Sequence, residues 1–398
     1  MATTNPLPDT TSSPAPSGAR LLVFLAALPQ EQLENVLINL TASFAPEDLL
    51  IATTDASAKD AYPALRIIAA PASRVSWTTT AADFVNAYQL AHDNNANSIL
   101  MLGPEAGSLS LPALRDLANP AITASADLVL PRYALPPHAS LVNSAILYPL
   151  SRALFASRAR FPMAIDLGLS LRMAERLSAA AQRFMALNQP GAILWPVDEA
   201  SVAGFTISEV DVGPRVLPQP HEPDLNAILP LVAGSLFADI ETKATFWQRP
   251  RQLPPARNYS QVLQAHTAEA TPDNASMLQT FRLAYANLLE IWSLVLPPNS
   301  LLGLKRLSLA NGPAFRMPDA LWARIIFDFL LAYRLRTINR GHLFGALIPL
   351  YLAWVASHIN TVASGVDPEH HIEAVAAAFE IEKPYIVSRW RWPDRFNP

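Results

Sequence analysis

The sequence predicts an α/β fold in which a mostly parallel sheet domain is followed by an all-helical C-terminal domain. Two observations lead to this prediction. Through the first half of the chain, short apolar runs alternate with segments that repeat apolar residues at helical spacing, which is typical of a parallel sheet covered by helices. After residue 224 only helical spacing continues, and residues 214–223 before it hold four prolines in ten positions, which indicates a linker.

The individual elements follow from these patterns in chain order. The predicted strands are short apolar runs bounded by turn residues, at 21–27, 48–53, 65–69, 98–102, 127–131, 192–195 and 204–210. The predicted helices repeat apolar residues every three or four positions, at 30–44, 81–92, 111–118, 226–247, 276–294, 318–334, 343–362 and 368–379. Parallel sheets bind ligands at the carboxyl ends of their strands, so functional loops are expected after residues 28, 53, 70 and 102.

The composition excludes several classes of function. A formal net charge of −4 gives no electrostatic reason to expect nucleic acid or an anionic membrane surface as a partner. The chain has no cysteine, so disulfides and thiolate chemistry are excluded. The apolar runs at 21–28 and 343–357 are shorter than the roughly 20 residues that cross a bilayer, and residues 1–18 have the composition of a disordered tail. We therefore expect a cytoplasmic protein without a transmembrane segment.

Three arginines and one carboxylate gather within fifteen residues of a chain that is otherwise poor in charge. Arg152, Arg158, Arg160 and Asp166 lie in this stretch. Because guanidinium groups bind small oxyanions with two parallel hydrogen bonds, the stretch predicts a site for a small anionic ligand. The alternative is a solvated surface with local ion pairs. Asp166 also has an alternative role, as the N-cap of a helix over 167–172.

The same stretch resembles a known family. The run YPLSRALF at 148–155, the two arginines that follow it and the Asp166-x-Gly168 motif are similar to the middle of the glucosylglycerate synthase-like and mannosylglycerate synthase-like glycosyltransferases. Further matching residues lie in the C-terminal half, and they are Trp322, Asp328, Phe329, Tyr333, His342, Leu343, Pro349, Leu350, Tyr351, Leu352, Lys383, Pro384, Tyr385 and Trp390. The resemblance runs from about residue 21 to the end of the chain.

The resemblance implies a GT-A (Rossmann-like) nucleotide-sugar domain at 19–215 and a helical domain at 224–398. It implies transfer of a hexose from a nucleotide-sugar, UDP- or GDP-hexose, to a small hydroxy-acid such as glycerate, with Mg²⁺ or Mn²⁺ neutralising the diphosphate. On the acceptor side the matching residues are Arg152, Arg158, Arg160, Asp166 and Gly168. On the donor side Asp55 and Asp60 follow the second strand and Glu105 follows the fourth.

Several positions depart from the family pattern. The D-x-D pair that would hold the metal is replaced by LGPEA at 102–106, and the place of the metal's histidine reads GPRVL at 213–217. Glu105 and His221 are the nearest residues that could serve as metal ligands, and isoleucines stand at 165 and 193, where the family has a glycine and a carboxylate. Two hypotheses stay open: an active glycosyltransferase, or a catalytically degenerate relative that binds a ligand or acts as a scaffold. A homodimer is possible under either.

Overall fold

The structure is a computed structural model that describes residues 20–55, 58–71, 77–218, 224–254, 274–310 and 312–393. Its described part contains one seven-stranded sheet with the strand order β3-β2-β1-β4-β6-β5-β7. The strands are β1 (Leu21–Leu25), β2 (Leu49–Thr53), β3 (Ile67–Ala69), β4 (Ser98–Leu102), β5 (Leu128–Ala134), β6 (Leu167–Ser170) and β7 (Ile207–Pro214). The predicted tail at 1–18 lies outside the described residues.

Helices cover the sheet in the first half and make up most of the second half. Those of the first half are α1 (Gln30–Ser43), α2 (Ala58–Ala61), α3 (Ala81–Asp93), α4 (Leu111–Ile122), α5 (Tyr148–Phe155), α6 (Leu171–Ala186) and α7 (Pro196–Ala203). Those of the second half are α8 (Leu225–Thr242), α9 (Ala244–Trp247), α10 (Asn274–Asn287), α11 (Leu289–Val295), α12 (Pro298–Ser308), α13 (Asp319–Leu335), α14 (Arg340–Ala363) and α15 (Pro368–Arg391). The predicted α/β fold with a helical C-terminal region is therefore confirmed.

The sheet is parallel except for β6. Strand β1 pairs in parallel with β2 and β4, and β5 pairs in parallel with β7, whereas β6 runs antiparallel between β4 and β5. The sequence prediction missed β6. The helix expected at 167–172 begins instead at Leu171, and the Ser170 side chain caps it by accepting the N–H of Met173 at 3.3 Å. The N-cap role suggested for Asp166 is therefore wrong.

A second strand prediction fails at residues 192–195. This segment is irregular, and two of its apolar side chains, Ile193 and Trp195, are buried in the core of the helical region. Helix α5 is buried in the same core, although it precedes the proline-rich segment in the chain. Apolar periodicity cannot show which of two cores a segment joins, and a buried irregular segment has the same apolar composition as a buried strand. The domain boundary near residue 215 stays a prediction.

Two helices of the described chain have the length and apolar composition that a membrane span requires. They are α8 and α14. In α14, 78% of the apolar window is buried inside the protein, as expected for the central helix of a packed core. The absence of a transmembrane segment and the cytoplasmic location both stay predictions.

A buried imidazole pair makes the helical region sensitive to pH. The Nδ1 atoms of His358 on α14 and His371 on α15 lie 2.8 Å apart, so one of them must donate and the other accept. Burial and then the charge of His371 lower the pKa of His358 to about 4. The usual histidine pKa is 6.5, so the unfolded chain takes up this proton first. The stabilising effect is full above pH 6.5 and is lost as the pH falls to about 4.

Replacing His358→Gln should therefore flatten the pH dependence of unfolding. We expect the difference in unfolding free energy between pH 7 and pH 4 to shrink by about 3 kcal/mol. Urea titrations at both pH values measure this difference. His92→Gln is the matched control, because the His92 side chain is 63% exposed and lies 3.5 Å from the carboxylate of its neighbour Asp93. An unchanged pH dependence in the His358 variant would contradict the prediction.

Candidate functional site

The carboxyl ends of the parallel strands place the predicted donor residues on one edge of the sheet. Asp55 follows β2 and Glu105 follows β4, and both strands flank β1. Two strand spacings separate them, or roughly 10 Å. Because β6 is antiparallel to β4, its first residue lies at this same edge, with Leu167 opposite Met101. Asp166, just before β6, is thereby brought to the end of β4.

A buried ion pair closes this edge. The Arg215 guanidinium, which directly follows β7, donates from Nε to Asp166 Oδ2 at 2.9 Å and from Nη2 to Asp166 Oδ1 at 3.1 Å. Both side chains are fully buried, with 0% exposed. The carboxylate also accepts the Tyr133 hydroxyl at 3.0 Å and the N–H of Gly103 at 3.1 Å. Asp166 thus joins the ends of β4, β5 and β7, each supplying a donor.

The remaining donors of Arg215 bind the turn that stands in place of the D-x-D pair. Nη2 donates to the Pro104 carbonyl at 2.8 Å, and Nη1 donates to the Glu105 carbonyl and to Ser108 Oγ at 3.0 Å. Burial alone would lower the pKa of Arg215, but the charge of Asp166 raises it above its usual value. Burial and the same carboxylate hold the pKa of Tyr133 well above its usual range, so its hydroxyl stays a donor.

The oxygens at this edge do not fit a divalent metal. A hard cation such as Mg²⁺ or Mn²⁺ needs several free oxygen ligands. Here the Asp166 carboxylate and both turn carbonyls already accept hydrogen bonds from Arg215, and Glu105 Oε2 accepts Gln32 Nε2 at 2.9 Å. Among the described residues, no group of three or more acidic or histidine side chains is arranged to hold a metal ion. His221 lies outside those residues.

The other predicted donor residues are more open. Asp55 is half-buried, its backbone N–H bonded to Thr53 Oγ1 at 3.3 Å, and Asp60 is exposed on the short helix α2. Apolar packing closes the edge next to Glu105. A Cβ added at Gly103 would lie 2.9 Å from Ile165 Cβ, so the isoleucine side chain already fills the space beside the turn.

Two of the predicted acceptor arginines bind carboxylates of helix α15. Arg152 donates to Glu373 and to Glu380, each at 2.5 Å, and its side chain is 6% exposed. Arg160 donates to both oxygens of Glu369, at 3.0 and 2.9 Å. Burial alone would lower the pKa of both guanidiniums, but these carboxylates raise the pKa of each above its usual value. The two arginines therefore tie α5 and the following loop to α15.

The third arginine and the glycine have different surroundings. Arg158 is half-buried, donates from Nε to the Pro254 carbonyl at 2.8 Å and lines a cavity of about 620 Å³. Gly168 lies within β6, and a Cβ there would be 2.0 Å from the Leu117 carbonyl oxygen. The structure therefore joins Asp166 and the Glu105 backbone through Arg215, and it binds Arg152 and Arg160 to α15. The ligand-binding roles predicted for these residues stay predictions.

Sequence reasoning missed the partners that surround the predicted residues. Arg215 could have been found, because it occupies the place where the family pattern has its metal-binding histidine. The acidic residues of α15 also left a signal. Glu369, Glu373 and Glu380 are spaced by four and seven positions, which places them on one face of a helix. No pattern in the sequence shows that this face meets the arginines.

Comparison with known proteins gives a distant likeness to one group of enzymes. No family model and no curated protein matches the chain. One similar solved structure is glucosyl-3-phosphoglycerate synthase from Mycobacterium tuberculosis with Mn²⁺, UDP-glucose and phosphoglyceric acid, at 13% identity and TM-score 0.37, covering 64% of this chain and 88% of that one. The same enzyme with Mg²⁺ and UDP matches at 12% identity and TM-score 0.37, covering 60% and 82%. This similarity assigns no role to any residue here.

Proposed function

We propose that this chain is a glycosyltransferase-like protein without metal-dependent hexose transfer, acting as a ligand-binding or scaffold protein. One observation carries the proposal. The Arg215 guanidinium donates hydrogen bonds to the Asp166 carboxylate and to the Pro104 and Glu105 carbonyls. These oxygens lie at the edge where the resemblance implies a metal and a diphosphate, and they are therefore already occupied. The pairing of Arg152 and Arg160 with α15 supports the proposal, since these guanidiniums are not free for an acceptor.

A second candidate is an active transferase that moves a hexose from UDP- or GDP-hexose to a small hydroxy-acid such as glycerate. The observation that favours it is the exposure of the donor side. Asp60 is exposed and Asp55 half-buried at the carboxyl edge, where a nucleoside could approach them. A cytoplasmic location and a homodimer are proposed with either function.

The two functions predict different results with nucleotide-sugars. We expect no Mn²⁺-dependent turnover of UDP-glucose or GDP-mannose with glycerate, and no rise in the melting temperature on adding Mn²⁺ or Mg²⁺, because the oxygen ligands are occupied. Nucleotide release and differential scanning fluorimetry measure these two quantities. Metal-dependent transfer to glycerate would overturn the proposal.

Binding without turnover would locate the donor residues. If UDP-glucose binds, Asp60→Asn should weaken the binding. Asp93→Asn is the matched control, because Asp93 is also exposed and lies at the end of α3, before the amino end of β4 and not at the carboxyl edge. Equal binding by both variants would remove Asp60 from the donor site.

A further inference from the structure

A cavity lies at the free edge of the sheet, apart from the carboxyl ends of the strands. Its volume is about 620 Å³, within the range of small-molecule sites. Ile207 and Glu209, two positions apart in the edge strand β7, line it from one face of that strand. Glu209 precedes Arg215 by six residues, or roughly 20 Å of strand. The cavity is therefore separate from the closed edge described above.

Two arginines give the cavity a positive charge. Arg158 and Arg251 both line it, and the guanidinium carbon of Arg251 lies 3.6 Å from the centre of the Phe246 ring. Within the described residues neither side chain forms an ion pair. The carboxylate of Glu209 also lines the cavity, but it accepts the N–H of Arg160 at 2.6 Å and lies close to the charge of that arginine. The lining therefore carries two positive charges against one negative charge, and the negative charge already lies close to Arg160.

The positive potential extends to a neighbouring amine. Burial and then the charge of Arg251 lower the pKa of Lys383 on α15 to about 8. The charge of Glu380 acts in the opposite direction on this amine.

Aromatic side chains form the apolar wall of the cavity. The rings of Phe155 and Phe246 stack with centroids 6.0 Å apart, and Phe205 contributes a third ring. Ser157, Ser201 and Gln252 add neutral polar groups. Two guanidiniums together with an apolar wall match a molecule with an acidic head and an apolar body.

We propose that this cavity binds a small organic anion, a carboxylate or phosphate monoester with an aromatic or other apolar body. Arg158 and Arg251 bind the oxyanion, and the phenylalanine rings contact the body. Such a site would supply the ligand of a ligand-binding protein. The inference does not depend on the proposed loss of hexose transfer, because the cavity lies away from the carboxyl edge.

Calorimetry with simple probes tests the proposal. Phenyl phosphate and benzoate distinguish the two head groups, phenol lacks the charge, and inorganic phosphate lacks the body. We expect at least one aryl anion to bind with a dissociation constant on the order of 0.1 mM. Phenol and inorganic phosphate should each bind about tenfold or more weakly, because each loses one kind of contact. Binding of phenol as tight as that of the aryl anions, or no binding of either anion at 5 mM, would overturn the proposal.

Variants locate the binding. Arg158→Gln and Arg251→Gln should each weaken the aryl anion about tenfold or more. Arg249→Gln should not, because Arg249 is an exposed arginine of the same segment that does not line the cavity. Ser201→Trp should abolish binding by filling the cavity, with thermal unfolding confirming that each variant is folded. Unchanged affinity in the folded Arg158, Arg251 and Ser201 variants would place the anion elsewhere and overturn the proposal.

Discussion

Replacing Gly168→Ala should destabilise the protein by about 3 kcal/mol or more, because the new methyl group has no space. Its Cβ would lie 2.0 Å from the Leu117 carbonyl oxygen and 3.0 Å from Val129 Cβ. The oxygen belongs to helix α4, so no flexible side chain can move aside. Strand β6 cannot shift easily either, since Gly168 is in register with Leu100 on β4 and with Val129 on β5.

Urea unfolding followed by circular dichroism measures the effect. Gly107→Ala is the matched control, because its Cβ would meet the Gln32 carbonyl at an ordinary 3.8 Å. We expect the control to change the unfolding free energy by less than about 0.5 kcal/mol. A Gly168→Ala variant as stable as the control would show that α4 is not packed tightly on β6. Gly168 would then be better explained by a ligand that approaches it.

The contrast between β4 and β6 shows what the sequence could and could not predict. Strand β4 has five residues, SILML, of which four are apolar, and the sequence predicted both of its ends. Strand β6 has only four residues, LGLS, and Ser170 at its end also caps a helix. A helix start and a short strand give the same local pattern here. Only the approach of α4 to Gly168, a contact across 51 positions of the chain, distinguishes them.

The candidate site was predictable in its residue types but not in its pairing. The arginine cluster predicted a small anionic ligand, with local ion pairs as the alternative, and in the structure Arg152 and Arg160 form ion pairs. Their partners are carboxylates of the chain itself, more than 200 positions away on α15. Local sequence carries no signal for such distant pairing. Arg158 lies in the same short segment, yet it lines a cavity, because its direction from the loop is set by tertiary packing.

Breaking the Arg215–Asp166 pair should have the second large effect. Asp166→Asn removes the negative charge and leaves the guanidinium buried without compensation, at a cost of about 3–5 kcal/mol. Arg215→Met should cost a similar amount, because it leaves the Asp166 carboxylate buried without a compensating charge. The exposed pair of Arg20 and Asp48, 3.6 Å apart, supplies the control. Asp48→Asn should cost less than about 1 kcal/mol, since solvent screens exposed charges.

A double-mutant cycle separates the pairing from the loss of packing. Asp166→Asn with Arg215→Met removes both charges, so the double variant should be more stable than the sum of the two single variants predicts, by about 2 kcal/mol or more. Additive effects would show that the two charges are hydrated independently. In that case the oxygens of Asp166 and the Glu105 turn would be accessible to a cation, and the active transferase would become the better explanation. Strong coupling would instead mean that the arginine holds the ends of β4, β5 and β7 together, where the resemblance implies a metal ion.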